Sequence, residues 1–332
     1  VGVIATHVVR SDGGEGWGFS WTPQIGAEAV LALTQHDIRS FALGRDANPG
    51  TIWDSTWQFL HEAGGGGLTT IALAGLDLAL WDAEARSRGG SLTDLFGAKR
   101  TRVRAYGSGV NLHYSLDELV GQVRRWVDAG FGAVKIKVGK PDVAEDLERV
   151  LAVREVLGPD RGLMIDANQR WNLDTAASAI GTLSVADLTW IEEPLRADDL
   201  AGYTELAKRI NVPVALGENV HNIHRFRDFL DRDAAQVLQP NIVRVGGITP
   251  FLHIAELAAE RGITLHPHLL PELSGQLALT LASVPGVPEV LVEDVEDAGF
   301  GDLGALFDPS PVRIADGELT EIPHAGLGLR FR

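Results

Sequence analysis

From about residue 103, apolar segments of strand length alternate with amphipathic segments of helical length. Seven of the apolar segments end on a residue that can bind a metal, transfer a proton or bind an anion: Lys137, Asp166, Glu192, Glu218, Asn241, His268 and Glu293. Subtracting each position from the next gives intervals of 29, 26, 26, 23, 27 and 25 residues. Because one strand, one helix and two short loops take about this length, the period predicts a repeating βα unit.

The alternation predicts eight strands with helices between them, which is the pattern of a (β/α)8 barrel. The predicted strands are 103–107, 133–138, 162–167, 188–193, 213–218, 236–242, 262–267 and 289–294. The predicted helices are 116–129, 143–157, 173–183, 199–210, 222–231, 250–261 and 273–283. In such a barrel the carboxyl ends of all strands face one mouth, where the active site lies. We therefore expect the seven polar residues around one cavity and interpret the chain as an enzyme.

The first hundred residues follow a different pattern. Residues 1–22 alternate around a glycine-rich turn, which predicts a hairpin, and helices are predicted over Glu28–Ser40 and Leu68–Ala85. Gly64–Gly67 is a run of four glycines without the lysine and serine of a P-loop, so it predicts a flexible loop rather than a phosphate site. The last thirty residues lose the βα pattern and predict an irregular tail that returns to the N-terminal part of the chain.

Composition narrows the class of protein. Hydrophobic residues make up 45% and charged residues 22%, as in ordinary globular proteins, and no apolar run approaches the roughly 18 residues of a membrane span. Cysteine is absent, which excludes disulfides and thiolate chemistry, and cytoplasmic location is the default interpretation. The net charge of −16 argues against nucleic acid or an anionic membrane as a partner, but it leaves a small anionic substrate open.

Three of the strand-end residues are carboxylates at a constant interval. Asp166, Glu192 and Glu218 are separated by 26 residues twice, and three neighbouring strand ends can converge on one hard cation. Oxygen ligands suit Mg²⁺ or Mn²⁺, and a trio without His or Cys disfavours zinc.

Two lysines and a histidine supply the proton-transfer groups. Lys135 and Lys137 lie on the same face of a strand because strand side chains alternate, and facing carboxylates balances their charge. We expect their positive neighbours, the other lysine and the metal, to lower the lysine pKa, which prepares a lysine as a base. His266 shares the face of His268, and position in the series favours His268 as the functional residue.

A series of motifs adds a family resemblance. They are AGLDLALWDAEA (Ala74–Ala85), the lysines of KIK, DANQRW (Asp166–Trp171), WIEEP (Trp190–Pro194), GEN (Gly217–Asn219), RVGGIT (Arg244–Thr249) and LLPELS after His268. Over essentially its whole length the chain resembles the enolase superfamily, in its mandelate racemase-like subgroup.

The resemblance implies a (β/α)8 barrel capped by an α+β domain that both termini build. The corresponding bounds are 1–100 for the capping segment, 101–302 for the barrel and 303–332 for the returning tail. The chain resembles the family from inside the second strand of the cap sheet, so the first strand is expected to be missing from this sequence. A symmetric homo-oligomer is also implied.

The resemblance further implies Mg²⁺ on Asp166, Glu192 and Glu218, a Lys or His base being the usual partner of the metal in this superfamily. The resemblance implies that Lys137 is a base on one face of the substrate and that Lys135, assisted by Asn168, binds the substrate carboxylate. It also implies that His268 is an acid or base on the other face and that Glu293 hydrogen-bonds the enediolate.

One position departs from the family pattern. In the subgroup, the strand before that of the histidine usually carries an aspartate that pairs with it, and related branches carry a lysine at this position. This chain has Asn241 there. Without an anionic partner His268 is a poorer base, although Asn241 can still orient its ring by a hydrogen bond.

That asymmetry favours one reaction over its alternatives. A strong Lys137 with a weak His268 favours an acid-sugar dehydratase that forms a 2-keto-3-deoxy acid. A 2-hydroxy-acid racemase or epimerase is the first alternative, and a barrel that binds metal without turnover is the second. The glycine-rich segment near Glu62–Gly67 lacks bulky apolar side chains, which favours a polar sugar acid over an aromatic substrate.

Overall fold

Eight parallel strands, alternating with helices, form one sheet in the computed structural model, which describes residues 1–296 and 310–331. The strands lie in the order β10-β3-β4-β5-β6-β7-β8-β9. Their bounds are β3 Val103–Gly109, β4 Ala133–Lys137, β5 Gly162–Asp166, β6 Trp190–Glu192, β7 Val214–Leu216, β8 Val237–Leu238, β9 Thr264–Leu265 and β10 Val292–Glu296. The predicted strands are therefore confirmed, although several are shorter than expected.

A helix follows each of the strands from β3 to β9. These helices are α6 Leu116–Asp128, α7 Val143–Leu157, α8 Leu173–Leu183, α9 Leu200–Leu206, α10 Ile223–Leu230, α11 Ile248–Arg261 and α12 Pro271–Thr280. Side-chain caps explain several of the starts: Ser115 and Glu118 form a capping box on α6, and Asn172 caps α8. The predicted helices are confirmed, with α9 ending four residues early. No helix in the described ranges is long and apolar enough to cross a bilayer.

The inner face of the sheet carries an apolar layer beneath a polar one. Side chains from six consecutive strands form the apolar layer: Tyr106, Ala133, Met164, Trp190, Ala215 and Val237. His266 packs against it, with its ring 6.3 Å from Tyr106 and 6.2 Å from Trp190. Because strand side chains alternate, the next inward positions stack directly above this layer. The polar site thus rests on a packed floor.

An N-terminal layer contacts helices α11 and α12 and the loops after β7 and β8. Its elements are β1 Gly2–Val9, β2 Glu15–Thr22, α1 Ala27–Ala32, a π-helical turn over Leu33–Ile38, α2 Arg39–Ala42, α3 Pro49–Phe59, a 3-10 helix over Leu60–Ala63, α4 Leu68–Ser87 and α5 Leu92–Phe96. Helix α4 lies so close to β2 that a Cβ at Gly16 or Gly18 would overlap the α4 backbone, so glycine at these two positions permits the approach. The predicted hairpin and both predicted helices are confirmed.

The C-terminal tail differs from the irregular segment that the sequence predicted. Strands β11 Val312–Ala315 and β12 Glu318–Glu321 form a hairpin, and β12 pairs antiparallel with β3. The Asp316-Gly317 turn has positive φ at both residues, which is the two-residue connection that matches strand twist. Beyond it, the Leu327 amide donates to Asp82 of α4 at 2.7 Å. Residues 303–309 of the expected tail lie outside the described residues.

Candidate active site

Buried charges of both signs converge at the carboxyl ends of the parallel strands. Lys135 Nζ lies 2.5 Å from Glu192 Oε2 and 2.6 Å from Glu293 Oε1, and 3.9 Å from Asp166 Oδ2. Lys137, two residues along β4, donates to Asp166. The Lys135 side chain is 1% exposed and that of Lys137 is 13% exposed. The two lysines therefore share the inner face, and only Lys137 reaches toward the mouth.

The protein groups around the two lysines raise both of their pKa values. Burial lowers the pKa of Lys135, but the charges of Glu192 and Glu293 raise it by more, so the pKa of Lys135 is well above its ordinary value of 10.5. Burial and the charge of Lys135 lower the pKa of Lys137, whereas Asp166 raises it, and the net pKa is again raised. Among the protein groups, the surrounding carboxylates outweigh the one positive neighbour, the other lysine. The lowering expected from the metal stays a prediction.

Three side chains present atoms that could hold one metal ion. Ligand atoms of Glu192, Glu218 and His268 all lie within 4.8 Å of one another. Asp166, the remaining predicted ligand, forms an ion pair with Lys137. Its Oδ2 atom also lies 3.9 Å from Lys135 Nζ, which contacts Glu192 as well. Thus the structure groups two of the three predicted carboxylates, Glu192 and Glu218, with His268, and Asp166 stands outside that group beside the two lysines.

The Glu192 carboxylate has a free acceptor in this buried place. Its Oε2 accepts from Lys135 and, at 3.0 Å, from Gln239 Nε2, while Oε1 is buried without a hydrogen-bond partner. Burial, followed by the charge of Asp166, raises the Glu192 pKa well above 4.5. A cation would supply the partner that Oε1 lacks and would favour the ionised form, so the residues present fit a hard divalent ion.

Asn241 fixes the orientation and the tautomer of His268. The Asn241 Oδ1 atom accepts from the backbone amides of Val243 and Arg244, both at 3.1 Å. The amide nitrogen must therefore face His268 Nδ1, which lies 3.2 Å away. Because Nδ1 then accepts, the proton of the neutral ring sits on Nε2, which points toward Glu218 at 3.3 Å. Burial lowers the His268 pKa, and the nearby carboxylates only partly oppose this.

Unusual backbone conformations follow several of the functional residues. Positive φ angles of 36–63° occur just after the strand ends at Asn168, Gln169, Glu193, Leu269 and Leu270. They direct backbone amides back into the site: the Asn168 amide donates to Asp166 at 2.8 Å, and the Leu269 amide donates to Glu293 at 3.0 Å. Burial raises the Glu293 pKa, but the charge of Lys135 outweighs it and the pKa is lowered to about 2. Strain of this kind in non-glycine residues is typical of functional sites.

Comparison with known proteins places this geometry in a family. Residues 118–332 match the description "Enolase C-terminal domain-like", and residues 3–97 match "Mandelate racemase / muconate lactonizing enzyme, N-terminal domain". The chain belongs to the enolase superfamily, in its mandelate racemase/muconate lactonizing subgroup.

Individual members of the superfamily are similar over nearly the whole chain. An L-talarate/galactarate dehydratase of Salmonella typhimurium is 38% identical over 99% of this chain and 80% of its own length. A 3,6-anhydro-alpha-L-galactonate cycloisomerase of Streptomyces coelicolor is 35% identical over 99% of this chain and 89% of its own. The crystal structure of an L-talarate dehydratase from Polaromonas sp. JS666 with Mg and L-glucarate has a TM-score of 0.88 at 36% identity, covering 99% and 89% of the two chains.

Within this superfamily member, sequence reasoning missed several contacts around the predicted residues. The Arg244 guanidinium lies 3.3 Å from Glu218 Oε1 and donates to Asn219. Asn219 Nδ2 in turn donates to buried Glu193 at 2.7 Å. Asn219 and Glu193 directly follow the predicted ligands in the GEN and WIEEP strings, and Arg244 opens the RVGGIT string three residues after Asn241. Adjacency to a strand end was therefore the signal that could have found them.

Proposed function

We propose that this chain is a Mg²⁺-dependent hydro-lyase that dehydrates a sugar acid to a 2-keto-3-deoxy acid. One observation carries this proposal, namely that the two sides of the site differ chemically. Lys137 stands on one side, whereas on the other the Nδ1 atom of His268 is occupied by Asn241. Racemisation needs a base on each face of the substrate, while dehydration needs only one.

Asp166, Glu192 and Glu218 would hold the metal ion, and the free Oε1 of Glu192 supports this assignment. When bound, Mg²⁺ supplies a Lewis acid that stabilises the charge building up on a carboxylate whose α-proton is removed. Mn²⁺ has the same preference for oxygen ligands and would be a substitute. The Mg in the Polaromonas dehydratase structure supports the choice of metal.

Lys137 is the base that takes the proton next to the substrate carboxylate. Its amino group is the more exposed of the two lysines and lies at the end of β4, on the mouth side of Lys135. To act as a base it must release its bond to Asp166, since that bond stabilises the ammonium form. Engagement of Asp166 by a cation removes this stabilisation, so we expect the Lys137 pKa to fall in the loaded enzyme.

The other residues bind and orient the reacting groups. Lys135, fixed between two carboxylates, binds the substrate carboxylate, and Asn168 assists it from the end of β5. Glu293 would hydrogen-bond the enediolate oxygen in its protonated form, because the ionised carboxylate that Lys135 stabilises can only accept. Lys137 takes the α-proton, the C3–O bond breaks with its electron pair leaving on the hydroxyl oxygen, and that oxygen takes a proton from solvent and departs as water. Lys137 then returns its proton to solvent, and the remaining enol takes up a proton at C3 while its hydroxyl loses one, which gives the 2-keto acid. The Nε2–H of His268 donates a hydrogen bond to the departing oxygen, while Asn241 holds the ring in that tautomer.

Contacts across the ends of the sheet support a closed (β/α)8 barrel. Glu293 on β10 lies 3.8 Å from His268 Nε2 and accepts from the Leu269 amide, so β10 adjoins the residues after β9. On its other side β10 pairs with β3. We assign residues 1–100 to the capping segment, 101–302 to the barrel and 303–332 to the tail that completes the cap. A homo-oligomer in the cytoplasm remains our proposal for the assembled enzyme.

The test is α-proton exchange in D₂O with Mg²⁺ and an accepted sugar acid. Lys137→Ala should lower the exchange rate at least about 100-fold, which is the contribution of a general base, while Mg²⁺ affinity stays unchanged. Lys140→Ala, which removes a lysine paired with Glu145 outside the site, is the matched control and should exchange at the wild-type rate. Exchange by Lys137→Ala at a tenth of the wild-type rate would exclude Lys137 as the base.

A further inference from the structure

The loop after β8 is held by side chains of the N-terminal layer. Thr70 Oγ1 on α4 donates to the Arg244 carbonyl at 2.8 Å, and Trp53 Nε1 on α3 donates to the Gly246 carbonyl at 2.8 Å. Asp77 of α4 accepts from the amide of Thr249 at 3.0 Å and from its hydroxyl at 2.6 Å. Helices α3 and α4 of the N-terminal layer therefore bond the loop between β8 and α11 and the first turn of α11.

The same loop carries the backbone amides that orient Asn241 and, through it, His268. The Asn241 Oδ1 atom accepts from the amides of Val243 and Arg244, so the direction of the Asn241 side chain depends on the loop backbone. That side chain sets the tautomer of His268 through Nδ1. The Arg244 side chain, from the residue whose carbonyl Thr70 binds, contacts Glu218.

The contact between the layer and the loop leaves little room for movement. Thr70, Asp77 and Trp53 are 0%, 1% and 5% exposed. Gly247 has φ 117°, and a Cβ there would overlap the Asp77 carboxylate. In a buried, close-packed contact of this kind, a lost hydrogen bond leaves a carbonyl unsatisfied and the loop free to shift.

We propose that Thr70 and Trp53 are positioning residues that set the Asn241 amide, and through it His268, from the N-terminal layer. The path has three steps: the hydroxyl and indole bonds fix the loop carbonyls, the loop amides fix Asn241, and Asn241 fixes the ring. The role in turnover rests on the proposed function, because it requires His268 to act on the substrate. The positioning itself does not, and it is measurable without any substrate.

Thr70→Val removes the hydroxyl at constant shape, and Trp53→Phe removes the indole N–H. Thr70 also bonds the Gly67 carbonyl at 3.0 Å, and Trp53→Phe also removes part of a buried ring that stacks on Trp57, so the effect that the two variants share is the loss of a bond to the loop. Thr56→Val is the matched control, because this buried hydroxyl bonds only within α3, to Ile52 at 2.7 Å. Thr70→Ser should restore the wild-type behaviour.

The first readout is amide hydrogen exchange of residues 241–249 in the metal-free protein, together with the ring ¹⁵N shifts of His268. Thr70→Val and Trp53→Phe should each speed exchange of this segment about tenfold, the effect of one lost hydrogen bond, and broaden or shift the ring signals. The second readout is turnover, where kcat should fall about tenfold and KM should stay within twofold.

Equal exchange and ring shifts in Thr70→Val, Trp53→Phe and Thr56→Val would overturn the proposal. So would a Thr70→Ser variant that behaves like Thr70→Val. If wild-type protein turned over no sugar acid while the exchange results were as expected, the proposed function would fail and the positioning would stand. Normal turnover in variants with altered exchange would remove the catalytic consequence.

Discussion

Replacing Asn241 by aspartate tests the chemical asymmetry of the site in one isosteric step. The Oδ1 position would still accept from the amides of Val243 and Arg244, so the side chain has no reason to turn. The change falls on the other atom, where a donor becomes a negatively charged acceptor 3.2 Å from His268 Nδ1. We expect the ring to reverse its tautomer, with Nδ1–H donating to the aspartate and Nε2 free to accept a proton.

The size of the effect follows from the distance. Two unit charges at 3.2 Å attract by about 5 kcal/mol at an effective dielectric constant of about 20, equivalent to nearly four pKa units. Desolvation of the new carboxylate reduces this, and a rise of about one to three units in the His268 pKa is the realistic outcome. The starting point lies below 6.5 because burial lowers the pKa of the wild-type ring.

The assay is the pH titration of the His268 ring nitrogens by ¹⁵N NMR in EDTA-treated protein. Wild type should show a neutral ring protonated on Nε2 near pH 7, and Asn241→Asp should move the proton to Nδ1 and raise the pKa. Asn172→Asp, an exposed helix cap that aspartate fills equally well, is the control. A wild-type ring protonated on Nδ1, or an unchanged pKa in Asn241→Asp, would refute the reasoning.

Three further perturbations probe other parts of the site. Lys135→Met leaves Glu192 and Glu293 without their shared buried cation and should lower the free energy of unfolding by about 3–5 kcal/mol in urea titrations; a loss below 1 kcal/mol would contradict the ion-pair geometry. Glu218→Gln should weaken Mg²⁺ binding in calorimetry, and an unchanged titration would remove Glu218 from the ligand set. Burial lowers the His266 pKa to about 4, below its unfolded value of 6.5, so the unfolded chain binds the extra proton in between. The free energy of unfolding should therefore fall by up to about 3 kcal/mol as the pH falls from 6.5 to 4. His266→Phe should flatten this part of the pH profile, and an unaltered slope would exclude His266 as its source.

The sequence was sufficient for the strands and helices of the βα repeat and for the residues at the strand ends. The near-constant interval fixed which residues could share a mouth, and alternation along β4 put Lys135 and Lys137 on one face. The departure at Asn241 was readable in the sequence, and its physical meaning required the contact with His268. Both amides that hold Asn241 come from its own loop, which no spacing rule specifies.

Other features depended on tertiary contacts that one-dimensional patterns do not contain. The raised pKa of Lys137 reflects a bond to Asp166 on the neighbouring strand, whereas sequence reasoning weighed only positive neighbours. Arg244 joins Glu218 only because two loops meet at the mouth. By contrast, the hairpin in the tail was predictable, because Asp316-Gly317 is a strong turn signal between two short alternating segments.

The most direct test of the proposed chemistry is a screen of the purified protein with Mg²⁺ against mono- and diacid sugars in D₂O. Semicarbazide trapping would detect a 2-keto product, and mass spectrometry would detect deuterium at the α-carbon. We expect a 2-keto-3-deoxy acid from at least one sugar acid. Deuterium incorporation without any keto product would establish racemisation or epimerisation instead and would contradict dehydration by Lys137 with a neutral His268.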